Sequence, residues 1–248
     1  MNDPTMLRFG DAEQPNRLRT YSEAVRHSPL PDSELSDNLG LYITPKLLSR
    51  FLFMSHLYQQ ILPVQGVVVE FGCRWGQNTC LFSSLRGIFE PFNRLRKVIG
   101  FDTFAGLCGV TDADGRHVAE SDYGVVPKYV GHLQQMLNLN EQESPLPHLT
   151  KHAIITGDVS TTLPKYLDDN PQTVIALAYF DMDIYGPTKF ALEAIRPHLT
   201  RGSVLGFDEL NDVTTPGETV ALREVFQLDR YRIQRLPHYG RSSYLTID

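Results

Sequence analysis

Five short apolar runs constrain this chain more than anything else in it: "GVVVEFG" (residues 66–72), "KVIGFD" (97–102), "HAIITGD" (152–158), "VIALAYFD" (174–181) and "GSVLGFDE" (202–209). Runs of this length, rich in β-branched residues and bounded by glycine or polar residues, are the pattern of strands buried on both faces of a parallel sheet. Parallel strands need crossovers, and helix-like segments lie between them at "NTCLFSSLRGIFEPF", "TTLPKYLDDN" and "GPTKFALEAIRPHL". The first β-α-β unit should cross over in the right-handed sense. The expected fold is α/β, a Rossmann-like sheet that is mostly parallel. Near the end, "YRIQRL" and "SSYLTI" flank the turn-like "PHYGR", which predicts an antiparallel hairpin added to that sheet.

Residues 1–40 are polar and broken by Pro4, Pro15, Pro29 and Pro31, so they read as a loose arm or lid with short helices. "TPKLLSRFLFMSHLYQQIL" then carries apolar residues at helical spacing, with Thr44 as N-cap and Pro45 in the first turn. The expected organisation is an N-terminal arm and helix over 1–62, acting as a lid or in oligomerisation, and one α/β domain over 63–248. An insertion at about 108–149 would overhang the sheet and bind a ligand.

Composition excludes several classes of function. A formal charge of −6 and a pI near 5.7 argue against a nucleic-acid surface. The basic run Arg94, Arg96, Lys97 is too short to alter this and reads as a solvated helix end. No run approaches the roughly 18 apolar residues of a membrane span. Cys73, Cys80 and Cys108 form neither a CxxC nor an even framework, so a cytoplasmic location is expected.

Four of the strand-like runs carry an acid at or near their end, Asp102, Asp158, Asp181 and Asp208. In open α/β sheets ligands bind beyond the carboxyl ends of the strands, so these acids should converge on one edge. The "FDMD" of residues 180–183 admits three chemistries: a nucleophile toward phosphate, a metal clamp on a nucleotide sugar, or a metal and base assembled around an acceptor hydroxyl. Asp181 and Asp183 share parity and would face one side if the strand persisted. They could also merely cap the following helix.

Gly72 and Gly76 separate the first strand from its helix and would let a ligand approach the backbone and the helix N-terminus. Asp102, about thirty residues on, could accept both ribose hydroxyls. Glu70 lies inside an apolar run, where a carboxylate needs partners, either backbone amides of the glycine loop or a ligand amine. Asp158 could meet an adenine amino group or cap the next helix through Ser160 and Thr161. Trp75, Tyr123 and Tyr129 are aromatic candidates for the site. Of the histidines, none has a partner visible in the sequence, with His132 and His238 next in line as bases.

The series "VVVEFGCRWGQNT", "IGFDTFAGL", "GDVSTTLPKYL", "AYFDMDIYGPTKFALEAI" and "GSVLGFDEL" resembles, in that order, the macrocin O-methyltransferase family. The resemblance implies a class I methyltransferase fold and an S-adenosylmethionine- and Mg²⁺-dependent (or other divalent cation-dependent) transfer to a sugar hydroxyl of a secondary metabolite, as in antibiotic biosynthesis. The acceptor would be a small-molecule glycoside or a nucleotide sugar, and the protein a homo-oligomer with no nucleic-acid or membrane partner. Carried over by position, Asp183 matches the general base. Asp181, Asp208 and Glu209 match the metal ligands, with Glu209 standing where the family usually has aspartate. The cofactor would lie against Glu70, Phe71, Gly72, Arg74, Trp75, Asn78 and Thr79 of the first loop and helix. It would also meet Asp102, Thr103 and Phe104, then Gly157, Asp158 and Val159, and Asp181. Competing readings are a phosphatase, a metal-dependent glycosyltransferase, and a nucleotide-binding module without turnover.

Overall fold

The computed structural model describes residues 11–248; residues 1–10, with Pro4 and the start of the expected arm, lie outside the described residues. Seven strands form one sheet: β1 (Val67–Phe71), β2 (Val98–Asp102), β3 (His152–Thr156), β4 (Ile175–Phe180), β5 (Leu199–Phe207), β6 (Gln234–Leu236) and β7 (Tyr239–Thr246). Their spatial order is β3-β2-β1-β4-β5-β7-β6. The first five are mutually parallel, and β7 runs antiparallel to β5 and to β6. This is the class I methyltransferase sheet, including the C-terminal hairpin. The chain travels outward from β1 to β3, then returns to start β4 on the other side of β1. That reversal opens a crevice at the carboxyl ends of β1 and β4.

Eight α-helices accompany the sheet among the described residues: α1 (Gln14–Arg26), α2 (Asp32–Leu35), α3 (Pro45–Gln60), α4 (Gln77–Phe89), α5 (Tyr129–Gln142), α6 (Val159–Asp169), α7 (Tyr185–Ile195) and α8 (Gly217–Val225). Strand alternation assigns them to faces. Val67, Val69 and Phe71 point toward α6, α7 and α8 and pack with Leu163, Leu192 and Leu222. Val68 points the other way, into Phe53, Met54 and Leu57 of α3 and Phe82 of α4. Glu70 has the parity of Val68, so its carboxylate enters the α4 side, where Asn78 and Thr79 await it.

The helix expected after Thr44 forms, and Thr44 Oγ1 accepts the Leu47 N–H at 3.2 Å. Beyond its end, Arg96 donates to the carbonyls of Ile61 at 3.0 Å and Val64 at 2.7 Å, and pairs with Glu90 at 2.7 Å. Arg96 is therefore buried, not the solvated helix end that its basic neighbours suggested, because carbonyls at a buried helix terminus need donors. In the arm, α1 spans thirteen residues but buries none of them. Within 108–149, α5 serves as the crossover between β2 and β3, seating Leu133 and Leu137 against Cys73 and Phe104. The segment before it overhangs the sheet edge.

Candidate functional site

A cavity of about 670 Å³ opens at the carboxyl ends of the strands. Sites for small ligands and cofactors commonly occupy roughly 300 to 1,000 Å³. The β1–α4 loop forms one wall, and Gly72 is essential to its shape: at φ +87°, a Cβ there would lie 1.9 Å from the carbonyl oxygen of Asp181. The same approach lets Asp181 N–H donate to Phe71 O at 2.8 Å. The glycine loop and the D-x-D segment are thus in direct backbone contact.

Of the residues expected to meet a cofactor, Gly72, Arg74, Trp75, Asn78, Asp102, Thr103, Gly157, Asp158, Val159 and Asp181 line the cavity. Phe71 and Phe104 are buried in the hydrophobic core clusters. Asp102 accepts the Arg74 N–H at 2.7 Å and the Phe104 N–H at 2.5 Å, one on each oxygen, which fixes its carboxylate at the cavity rim. Each oxygen keeps a lone pair for a ligand hydroxyl. Burial raises its pKa, against the pull of those amides. Asp158 caps α6 by accepting from Ser160 N–H at 2.7 Å and Ser160 hydroxyl at 2.6 Å. The Arg74 guanidinium lies 5.6 Å from the Trp75 ring and 5.0 Å from the Tyr123 ring, so two of the three aromatic candidates meet at the cavity. Tyr129 hydrogen-bonds Trp75 O at 2.8 Å from outside it.

Glu70 accepts from Asn78 Nδ2 at 2.9 Å and from the Thr79 hydroxyl. Its partners are side chains of α4, not the loop amides expected, because strand parity turns it away from the loop. Burial pushes its pKa up to about 7, outweighing both donors. The folded state thus binds more protons than the unfolded one between the ordinary glutamate range and about 7, and stability falls as pH rises through that window. Glu70→Gln should be isosteric and remove this slope. It should stabilise the protein at pH 8 by on the order of 3 kcal/mol while leaving stability near pH 4 unchanged. Urea titrations at the two pH values measure the difference; equal shifts at both would refute it.

The acids converge, but not through strand parity. β4 stops at Phe180, and Asp183 adopts a left-handed φ of +63°. A turn rather than the pleat therefore brings Asp181 and Asp183 to the cavity, with Asp208 and Glu209 beside them. Burial, then Glu209 and Asp181, hold Asp183 well above the usual carboxylate range. Burial and Asp208 do the same for Asp181, against the opposing Arg50.

Sequence reasoning missed three participants. Arg50 on α3 donates to Asp208 Oδ1 at 3.3 Å, Tyr239 OH at 3.0 Å and Asn78 Oδ1 at 3.5 Å, and lies 3.8 Å from Asp181 Oδ2. It occupies the same helical stripe as Phe53, Met54 and Leu57, and a charge on a buried face was the signal available. Arg241, just after the hairpin turn, bonds Asp208 Oδ2 at 3.2 Å and Glu209 Oε2. Glu218 of α8 is fully buried, and burial with Glu209 and Asp181 raises its pKa. In sequence it looks like an ordinary acid in a first helical turn.

These contacts bear on the implied metal. Asp208 is engaged on both oxygens, by Arg50, Tyr179, Ser242 and Arg241. Glu209 Oε1 and Glu218 Oε2 are buried without a hydrogen-bond partner, beside Asp181 and Asp183. Hard carboxylate oxygens with unmet lone pairs are the donor type Mg²⁺ takes, so the residues fit such an ion chemically. Among the described residues no three His, Cys, Asp or Glu side chains form a ready-made cage. Binding would exchange arginine contacts for cation contacts.

No protein-family profile matches the chain, and no curated protein matches it. Solved structures do. A crystal structure of CalS11, described as calicheamicin methyltransferase, is 40% identical over 99% of this chain and 98% of that one, with a TM-score of 0.93. The apo structure of CalS11, described as TDP-rhamnose 3'-O-methyltransferase in calicheamicin biosynthesis, is 39% identical over 96% of each chain, with a TM-score of 0.85. The O-methyltransferase NovP is 16% identical over 81% of this chain and 80% of that one, at a TM-score of 0.59, and shares the fold.

Proposed function

This chain belongs to the O-methyltransferase family of CalS11, and from that membership we propose that it methylates a sugar hydroxyl in antibiotic biosynthesis, with S-adenosylmethionine as donor. The acceptor is a nucleotide-linked sugar of the TDP-rhamnose class, by analogy with CalS11. The wider macrocin O-methyltransferase resemblance points to the same reaction. The observation that carries the reading is the meeting, across one cavity, of the glycine loop and Asp102 with the acids Asp181, Asp183, Asp208 and Glu209.

In this reading the donor lies along Gly72, Arg74 and Trp75, with its ribose on Asp102. The acceptor hydroxyl enters beside Asp183, which takes its proton as the methyl transfers in line. A carboxylate whose pKa is raised by burial and by Glu209 is a better proton acceptor than an exposed one. Holding oxygen, methyl carbon and sulfur collinear supplies much of the remaining acceleration. Until a cation takes their place, Arg50 and Arg241 keep Asp208 and Glu209 oriented beside the cavity. A divalent cation such as Mg²⁺, held by Asp181, Asp208 and Glu209, would lower the pKa of the acceptor hydroxyl.

Incubation with S-adenosylmethionine and TDP-rhamnose, followed by mass detection of the methylated product, tests the reaction. If S-adenosylhomocysteine showed no binding by calorimetry, the donor assignment would fail. Excess EDTA is expected to abolish turnover and added Mg²⁺ to restore it; full turnover in EDTA would remove the metal from the mechanism while leaving the rest.

A further inference from the structure

Asp183 is a residue with a Cβ in the left-handed region, a conformation that persists only where its surroundings hold it. Two buried carboxylates from distant elements supply the holding. Glu218, in the first turn of α8, accepts the Met182 N–H at 3.0 Å and the Asp183 N–H at 3.4 Å on Oε1. Asp114 belongs to a short helical turn, Asp112–Asp114, in the overhang before α5. Its Oδ1 accepts the Tyr185 N–H, while its Oδ2 accepts the Thr111 N–H at 2.7 Å and the Thr111 hydroxyl at 2.9 Å. Both acids are fully buried. The remaining amide, Ile184 N–H, donates within the turn to Met182 O at 2.7 Å.

Gly217 completes the enclosure. A Cβ there would lie 2.6 Å from Asp114 Oδ1 and from Tyr185 N, and 2.9 Å from the Asp183 carbonyl oxygen. The turn, the overhang and the start of α8 are therefore packed to contact at one point. Burying a carboxylate is unfavourable unless it gains strong partners. Here both acids spend an oxygen on the amides of the same four-residue turn, the one that presents Asp183 to the cavity.

We propose that Glu218 and Asp114 are positioning residues for Asp183, clamping its turn from two sides, and that Asp114 ties the place of the base to the overhang. This rests on the reading of Asp183 as the general base. The clamp itself has a readout that needs no acceptor, the exchange of the Met182 and Asp183 amide hydrogens. In Glu218→Ala that exchange should rise at least tenfold while peptides of α4 and β1 stay protected. With TDP-rhamnose as acceptor, kcat should fall tenfold or more at unchanged S-adenosylhomocysteine affinity. Glu218→Gln keeps an oxygen for the same two N–H groups and should restore both properties.

Gly217→Ala guards against a Glu218→Ala protein that does not fold. It favours the helix yet crowds the turn, and should reproduce the faster exchange and lower kcat. Unchanged amide exchange in both disruptive variants would overturn the clamp. Faster exchange with wild-type kcat would overturn its role in positioning. If Asp183→Asn itself kept full turnover, the base assignment would fall, and the exchange data would still decide the clamp.

Discussion

Asp183→Asn should lose turnover by on the order of 10²- to 10⁴-fold, the contribution typical of a positioned general base. The variant is a sharp probe because asparagine, like aspartate, tolerates the left-handed backbone found there, so the turn should survive. Its amide keeps the size and shape of the carboxylate beside Glu209, and what disappears is the capacity to take a proton. Affinity for S-adenosylhomocysteine should stay within about twofold, since the proposed donor wall comprises the glycine loop and Asp102. The wild-type pH profile carries a linked expectation. The base must be deprotonated to act, so activity should rise with pH. Burial, Glu209 and Asp181 place that limb above the ordinary aspartate range near about 3.9. Calorimetry and initial rates across pH test both statements. An Asn variant with near wild-type turnover would move the base elsewhere.

Arg50→Leu should produce the largest loss of stability, on the order of 3 kcal/mol at pH 7, because it strips a cation from buried acids and leaves their charges uncompensated. The Arg50 side chain is three-quarters buried, and that of Asp208 nearly completely so. Tyr239 and Asn78 lose a donor at the same time, and Asn78 is the residue that holds Glu70. The sign of the pH dependence discriminates this from simple packing loss. As pH falls and Asp181 protonates, the missing cation matters less, so the gap between variant and wild type should narrow toward acid pH. Arg50→Lys should fall between the two, keeping a charge but not the fork that reaches several partners. Denaturant midpoints taken at pH 7 and at successively lower pH measure the gap. A loss below about 0.5 kcal/mol at pH 7 would show that Arg241 alone neutralises the cluster.

The legible part of this protein was its local pattern. β1, β2, β3 and β4 appear within the runs that announced them, β5 begins ahead of its run at Leu199, and α3 begins on the cap that Thr44 announced. The hairpin of β6 and β7 follows from alternation around a turn. Strand ends were harder to place: Asp102 stays within β2, whereas Asp181 and Asp208 follow the last residues of β4 and β5, so the parity argument for Asp181 and Asp183 described a strand that stops at Phe180. Arg96 misled because a charge beside other charges looks solvated, whereas chain-end carbonyls had claimed it.

The sheet, the glycine loop and the row of strand-end acids are legible in the chain alone, because each rests on periodicity or on the backbone freedom of neighbouring residues. How those acids are held is a matter of packing between distant segments. Arg50 meets Asp208 across 158 positions, and Asp114 meets Tyr185 across 71. Such partners share no local pattern. Their pairing is set by which helix stripe, hairpin and overhang the fold packs over one edge, where buried charge must find its opposite or its amide.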